Sequence, residues 1–258
     1  MAFRIVRPAQ LLLGLMGASS ATLVPAIAGE QPRFALELEA GPTWQAKNDV
    51  QIPNDELGTR FSLKDLVGQG PWASGRLYFT WNIAGRHSVR ALLAPLSYTE
   101  TGGAFDTPVD FAGASYPPGA PTEATYRFNS WRLSYRYRIK DGDRWKLWIG
   151  LTAKVRDAKI ALRQGPTSSQ DDDLGFVPLL YFRADWSFAE RWHFIFDIDA
   201  LAGGPGRAID LTARLGYDIS PRWGVTAGYR TVEGGADVDE VYNFAWFNAA
   251  TASVVLRF

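Results

Sequence analysis

Apolar and polar residues alternate with period two along most of this chain, the pattern of strands with one apolar face. The alternation predicts ten strands, at about 33–47, 74–83, 87–99, 124–139, 144–162, 175–188, 191–202, 207–219, 222–233 and 241–258. In 124–139, Trp131, Leu133, Tyr135, Tyr137 and Ile139 lie opposite Arg132, Ser134, Arg136 and Arg138. In 191–202, Trp192, Phe194, Phe196 and Ile198 lie opposite His193, Ile195, Asp197 and Asp199. The third strand is the least regular, because Leu92, Leu93 and Pro95 blur its phase; Pro95 and Pro178 each predict a bulge or strand end.

Four connections are tight: Ala84-Gly85-Arg86, Asp141-Gly142-Asp143, Ala189-Glu190-Arg191 and Ser220-Pro221-Arg222. The others, at about 48–73, 100–123, 163–174, 203–206 and 234–240, are mostly longer. Phe61–Val67 in the first of them has the composition of one short helix. Short turns at one end and longer loops at the other are the plan of an antiparallel up-and-down β-barrel. Three of the tight turns run through Arg into Trp (Trp145, Trp192, Trp223), and Trp81 and Trp186 end strands at the same level. Together these five tryptophans predict an interfacial girdle.

The ends of the chain bear on its location. Residues 1–28 read as a signal peptide, with Arg4 and Arg7 before an apolar run at 11–16 and a small-x-small site at Ala26-Ile27-Ala28. This leaves 29–258 as one barrel domain. Val254, Leu256 and Phe258 alternate with Ser253, Val255 and Arg257 in the last strand. That tail resembles the C-terminal strand of Gram-negative outer-membrane β-barrels, and the whole organisation is similar to small barrels of the OmpA and porin kind. The resemblance implies residence in the bacterial outer membrane, contact with lipid and lipopolysaccharide, and a terminal Phe258 read by the barrel-assembly machinery.

Composition agrees with this picture. The 258 residues include 27 Lys and Arg, 27 Asp and Glu, no Cys, and two His. A mean hydropathy of −0.13 excludes a bundle of transmembrane helices. The absence of Cys excludes disulfides and thiolate sites, and the balanced charge argues against nucleic acid as a partner. Gly150, Gly216, Gly224 and Gly228 fall on the polar face, where a narrow lumen crowded with arginine favours small residues. With the polar face inward, the lumen is lined by Arg132, Arg136, Lys154, Arg183, Arg214 and Arg230 together with Asp197, Asp199 and Asp210. Lys47, Arg76 and Arg90 are also expected there, with Glu37 and Glu39 among the acids.

Two readings of this lumen follow. In the first, carboxylates and guanidiniums pair and plug the barrel, since an eight-stranded barrel is just filled by side chains and ten strands lie near that limit. The protein is then a non-enzymatic envelope component, structural or acting through its loops. In the second, the basic excess lines a narrow anion-preferring pore. A hydrolase is the remote third. Small outer-membrane barrels include omptin proteases and lipid A deacylases and acyltransferases, but His87 and His193 fall at the tight-turn end, and no catalytic residue is assigned. Asp171-Asp172-Asp173 and Asp237-Val238-Asp239-Glu240 are expected at loop tips, solvated or holding Ca²⁺ or Mg²⁺. No metal site or cofactor is assigned.

Overall fold

A computed structural model describes residues 32–204 and 206–258. The leader expected at 1–28 lies outside the described residues. The rest is an antiparallel barrel. Its strands are β1 (Phe34–Gln51), the short β2 (Phe61–Ser62), β3 (Trp72–Ala84), β4 (His87–Ala94), β5 (Ser97–Ala104), β6 (Val109–Phe111) and β7 (Ala114–Tyr116). They continue with β8 (Pro121–Asp141), β9 (Trp145–Gln164), β10 (Thr167–Ala189), β11 (Trp192–Gly203), β12 (Gly206–Asp218), β13 (Trp223–Asp237) and β14 (Tyr242–Arg257). The wall runs β1, β3, β4 with β5, then β8 to β14 in order, with β2 beside β1 and β6–β7 a separate hairpin, and β14 closes onto β1 from Ala35↔Arg257 to Gln51↔Tyr242. β4 and β5 pair in succession with β8 and form one stave interrupted at Pro95, so the wall has ten staves. The strand count and the break at Pro95 agree with the alternation.

Burial follows the alternation, inverted with respect to a water-soluble protein. Leu38 is 60% exposed, Leu133 56%, Leu151 62% and Leu180 58%, whereas Arg132, Asp199, Asp210 and Arg214 are buried. A closed wall satisfies every ladder hydrogen bond internally, which is what allows strands to turn apolar side chains outward into lipid.

The inward glycines make room. A Cβ on Gly228 would fall 2.2 Å from the Ala213 carbonyl oxygen and 2.8 Å from Arg214 Cγ. We expect Gly228→Ala to lower unfolding stability by about 1–3 kcal/mol, the usual range for overpacking, measured by urea titration of the refolded protein in detergent.

Three expectations are corrected. The first concerns 163–174 and 234–240, expected as loops, which are largely strand. β9 and β10 pair continuously from Trp145↔Trp186 up to Gln164↔Thr167, turning at Gly165, whose φ of +58° suits a residue without Cβ. A ladder needs only paired backbones, so it continues past the point where one face stops being apolar. The second is Lys47: a bulge between Gln45 and Lys47 shifts the phase of β1, and Lys47 leaves the lumen to pair with Asp49 at 3.0 Å. The third is Pro178, which marks no bulge. It pairs in register with Ala153, on a stretch of β10 that makes no ladder pairs with β11, where a missing N–H is tolerated.

Between β1 and β3 the chain forms α1 (Leu63–Val67), the short helix expected there, with Ser62 Oγ accepting from the Asp65 N–H. α1 and the β6–β7 hairpin pack an apolar cluster onto the inner face of the wall. It includes Val50, Leu63, Leu66, Phe105, Phe111, Tyr116, Tyr126 and Phe247. This plug sits at the loop end of the barrel.

Candidate functional site: the charged lumen

Inward charged positions converge on one network, made of an Asp210–Glu39–Asp199 cluster and an Asp197 cluster that meet at Tyr78, whose hydroxyl accepts from Arg230 and whose ring lies 5.1 Å from the Arg90 guanidinium. Asp210 of β12 accepts from Arg76 Nη1 at 2.8 Å, Arg132 Nη2 at 2.7 Å and Arg230 Nη1 at 2.5 Å. Glu39 of β1 accepts from Arg230 Nε at 3.1 Å and Nη2 at 3.0 Å, and from Arg214 Nη1 at 3.2 Å. Glu37 also pairs with Arg214 and accepts from Ser253 Oγ at 3.0 Å. Asp199 holds Arg132 Nη1 at 2.9 Å and the Thr152 hydroxyl at 2.6 Å. Asp197 takes both terminal nitrogens of Arg90 at 3.1 and 3.2 Å, the Tyr181 hydroxyl at 3.0 Å and Arg183 at 3.4 Å.

All nine lumen residues expected from the sequence therefore face inward, and seven of them join this network. The two exceptions are Arg136 and Lys154. Neither pairs with a carboxylate among the described residues. The Arg136 guanidinium lies 5.8 Å from the Tyr181 ring, and the Lys154 ammonium lies 4.6 Å from the Phe128 ring. The cavity beside the network, bounded by Glu39, Arg76, Arg132 and Arg230, holds about 40 Å³, room for a few waters at most.

Sequence reasoning missed two contributions. Tyr78 and Tyr181 lie in phase with the polar face, and their hydroxyls donate to or accept from the network: Arg230 Nη2 donates to Tyr78 at 2.7 Å. The apolar plug was missed as well. Its signal was present in Tyr126, Ile160, Leu162 and Phe247, apolar residues in the inward phase at the loop ends of their strands.

At the tight-turn end, His193 lies inward between Asp218 (Nε2 to Oδ2, 2.5 Å) and Asp185 (Nδ1 to Oδ1, 3.5 Å), with Ser187 Oγ 3.1 Å from Nδ1. The trio looks like a hydrolase constellation, yet carboxylates beside both ring nitrogens favour the protonated ring, and that form has no lone pair with which to take the Ser187 proton. Arg257 further occupies Asp218 at 2.8 Å. His87 is exposed and bonds Tyr135 at 2.6 Å.

The acidic triplet is split by the strand it belongs to. Asp171 and Asp173 fall on one face of β10 and Asp172 on the other, and Asp173 pairs with Arg156. Partial burial, then the neighbouring Asp172 and Asp173 carboxylates, raise the Asp171 pKa. The three carboxylates do not converge on one point. Asp237 ends β13, and the loop after it carries Asp239 and Glu240.

Of the tryptophans, Trp145 and Trp186 are directly paired and stack at 5.6 Å. Trp81, Trp192 and Trp223 stand at the same turn end, and all five point outward. Val254, Leu256 and Phe258 face outward on the closing strand. The Phe258 backbone exchanges hydrogen bonds with Phe34 at 2.7 and 2.9 Å, and their rings lie 5.8 Å apart.

No protein-family model matches the chain, and no curated protein matches it. Solved structures do. The outer-membrane protease OmpT of Escherichia coli superposes with a TM-score of 0.51 at 11% identity, covering 87% of this chain and 96% of that one. The fold is that of the Gram-negative outer-membrane β-barrels. The translocator domain of the autotransporter NalP from Neisseria meningitidis follows at a TM-score of 0.43 and 11% identity, covering 90% of each chain. Ail of Yersinia pestis follows at 0.39 and 10%, covering 86% of this chain and 99% of that one. The similarity concerns the barrel alone and carries no chemistry with it.

Proposed function

We propose that this protein is a non-enzymatic outer-membrane barrel with a sealed lumen, acting in the envelope through the surface it presents at its loop end. The observation that carries this reading is the network at mid-lumen, where Glu37, Glu39, Asp197, Asp199 and Asp210 are each held by at least one guanidinium. Charges committed to one another in this way do not line an ion path. The apolar plug stands above them.

The outward face supports membrane residence. Trp131, Val155 and Phe176 form one rung across β8, β9 and β10. The next outward rungs are Asn129–Asp157–Leu174 and Arg127–Lys159–Asp172, where Arg127 pairs with Asp157 at 2.8 Å. From Trp186 to Phe176, ten residues of tilted strand rise roughly 25 Å, the height of the apolar band of an outer-membrane barrel. The tryptophans then form the girdle at its lower edge, and β8, β9 and β10 project beyond its upper edge into the lipopolysaccharide layer.

The absence of cysteine makes the orientation testable. Ser168→Cys, at the tip of the β9–β10 hairpin, is expected to react with a membrane-impermeant maleimide on intact cells. Glu190→Cys, in a tight turn, is expected to react only after permeabilisation. Equal labelling of both on intact cells would overturn the proposed topology.

A further inference from the structure

The wall of this barrel is interrupted on one side. β10 pairs with β9 along its whole length but with β11 only from Leu180↔Ala200 downward. Residues Thr167–Leu179 therefore present a free edge above the short β11–β12 hairpin, whose tip at Gly203–Gly206 stands near the level of Phe176. That level is the upper edge of the apolar band. Leu174, 73% exposed, and Phe176, 68% exposed, project outward beside the gap.

Behind the gap lies a cavity of about 430 Å³, within the range of small-molecule sites. Tyr126, Phe128, Val177, Leu201 and Val241 give it apolar walls, and Lys154 lies at its inner side. Lys154 is 3% exposed and has no carboxylate partner among the described residues. Of the other cations that line the cavity, Arg156 pairs with Asp173 and Arg207 donates to Glu233 at 2.9 Å, while Lys159 lies in the outward rung with Arg127 and Asp172 and has no ion-pair partner among the described residues. Asp171 also lines the cavity, six residues up β10 from Val177. A buried cation without an anion is costly, and the neighbouring network shows that this barrel otherwise supplies a carboxylate to nearly every guanidinium. Here the missing partner is an anion, and the surrounding walls are apolar.

From the free edge, the cavity and the lone ammonium together, we infer that this is a binding site for a single-chain amphiphile with an anionic headgroup, entering sideways between β10 and the β11–β12 hairpin. The headgroup meets Lys154. The chain passes over Val177 and Leu201 toward the outward Phe176. The direction of entry rests on the outer-membrane reading; binding itself does not, and it can be measured in micelles.

The test uses refolded protein in a neutral detergent, with folding verified by heat-modifiable gel migration, and equilibrium dialysis against three labelled probes: palmitate, hexadecyl phosphate and hexadecanol. Saturable binding of palmitate or hexadecyl phosphate is expected, at least tenfold tighter than hexadecanol, and the stronger of the two identifies the headgroup as carboxylate or phosphate. Lys154→Met is expected to abolish that preference while raising the thermal transition, because it removes an unmatched buried charge. Leu201→Trp, which fills the apolar wall and keeps the cation, is expected to weaken both anionic probes at least fivefold, and it decides the matter if Lys154→Met does not fold. No saturable binding, equal binding of hexadecanol, or a Lys154→Met protein with unchanged preference would overturn the inference. The maleimide labelling above reports on membrane topology independently.

Discussion

Asp210→Asn is expected to lower the unfolding free energy by about 3–5 kcal/mol, the usual loss when one partner is removed from a buried ion-pair cluster. Asp210 accepts from Arg76, Arg132 and Arg230, and all three guanidiniums remain in the lumen after the change. The side chain keeps its shape, so the loss reports charge rather than packing. Glu39 is already shared between Arg230 and Arg214, and Arg76 Nε stands 3.9 Å from its Oε1, so it can offset only part of the loss. The contrast is Glu123→Gln, which breaks a pair with Arg163 at 3.2 Å on the exposed part of the wall. That change is expected to cost less than about 1 kcal/mol. Denaturant titration of both variants in the same detergent gives the comparison. Equal, small effects would mean that the lumen is hydrated enough to screen its charges.

The second large effect is expected on the opposite face. Leu151→Arg places a guanidinium at a position 62% exposed in the middle of the outward apolar band. On a water-soluble barrel such a change stays within about 0.5 kcal/mol. On a wall facing lipid near the midplane it costs about 2–4 kcal/mol, so refolding into bilayer vesicles should be impaired, while Leu174→Arg, in the outward rung above the apolar band, is unaffected. The measurement is the folded fraction by gel migration against lipid composition. A fully folded Leu151→Arg protein in vesicles would contradict a lipid-facing wall.

What the sequence made legible was governed by where one physical demand acted alone. Between the tryptophans and the Trp131–Val155–Phe176 rung, each residue faces either an apolar exterior or a charged interior, and period-two alternation is unavoidable. All ten staves and the inward set Arg132, Arg136, Lys154, Arg183, Asp197, Asp199, Asp210, Arg214 and Arg230 were readable for that reason. Above the rung, both faces of β9 and β10 meet polar surroundings or the plug. The pattern fades while the ladder continues, so the acidic triplet reads as a loop tip in the sequence although it lies on β10. Lys47 was misplaced because a bulge leaves no mark in the alternation until the phase has already changed. Pairing partners were not legible at all. Which carboxylate holds which guanidinium depends on strand tilt and stagger, which bring Glu39 of β1 against Arg230 of β13, 191 residues away. The same geometry leaves Lys154 without a carboxylate partner among the described residues, although in sequence it is one inward basic residue among many.

A sealed lumen and an anion path differ most plainly in current. In a planar bilayer, the mature protein, refolded and verified by heat-modifiable migration, is expected to insert without steady conductance in 1 M KCl, because Glu37, Glu39, Asp197, Asp199 and Asp210 are each held by guanidiniums across the lumen. A stable open level with a reversal potential favouring anions would contradict the sealed lumen and make the basic residues a pathway, with Arg132, Arg136 and Arg214 as the first to replace.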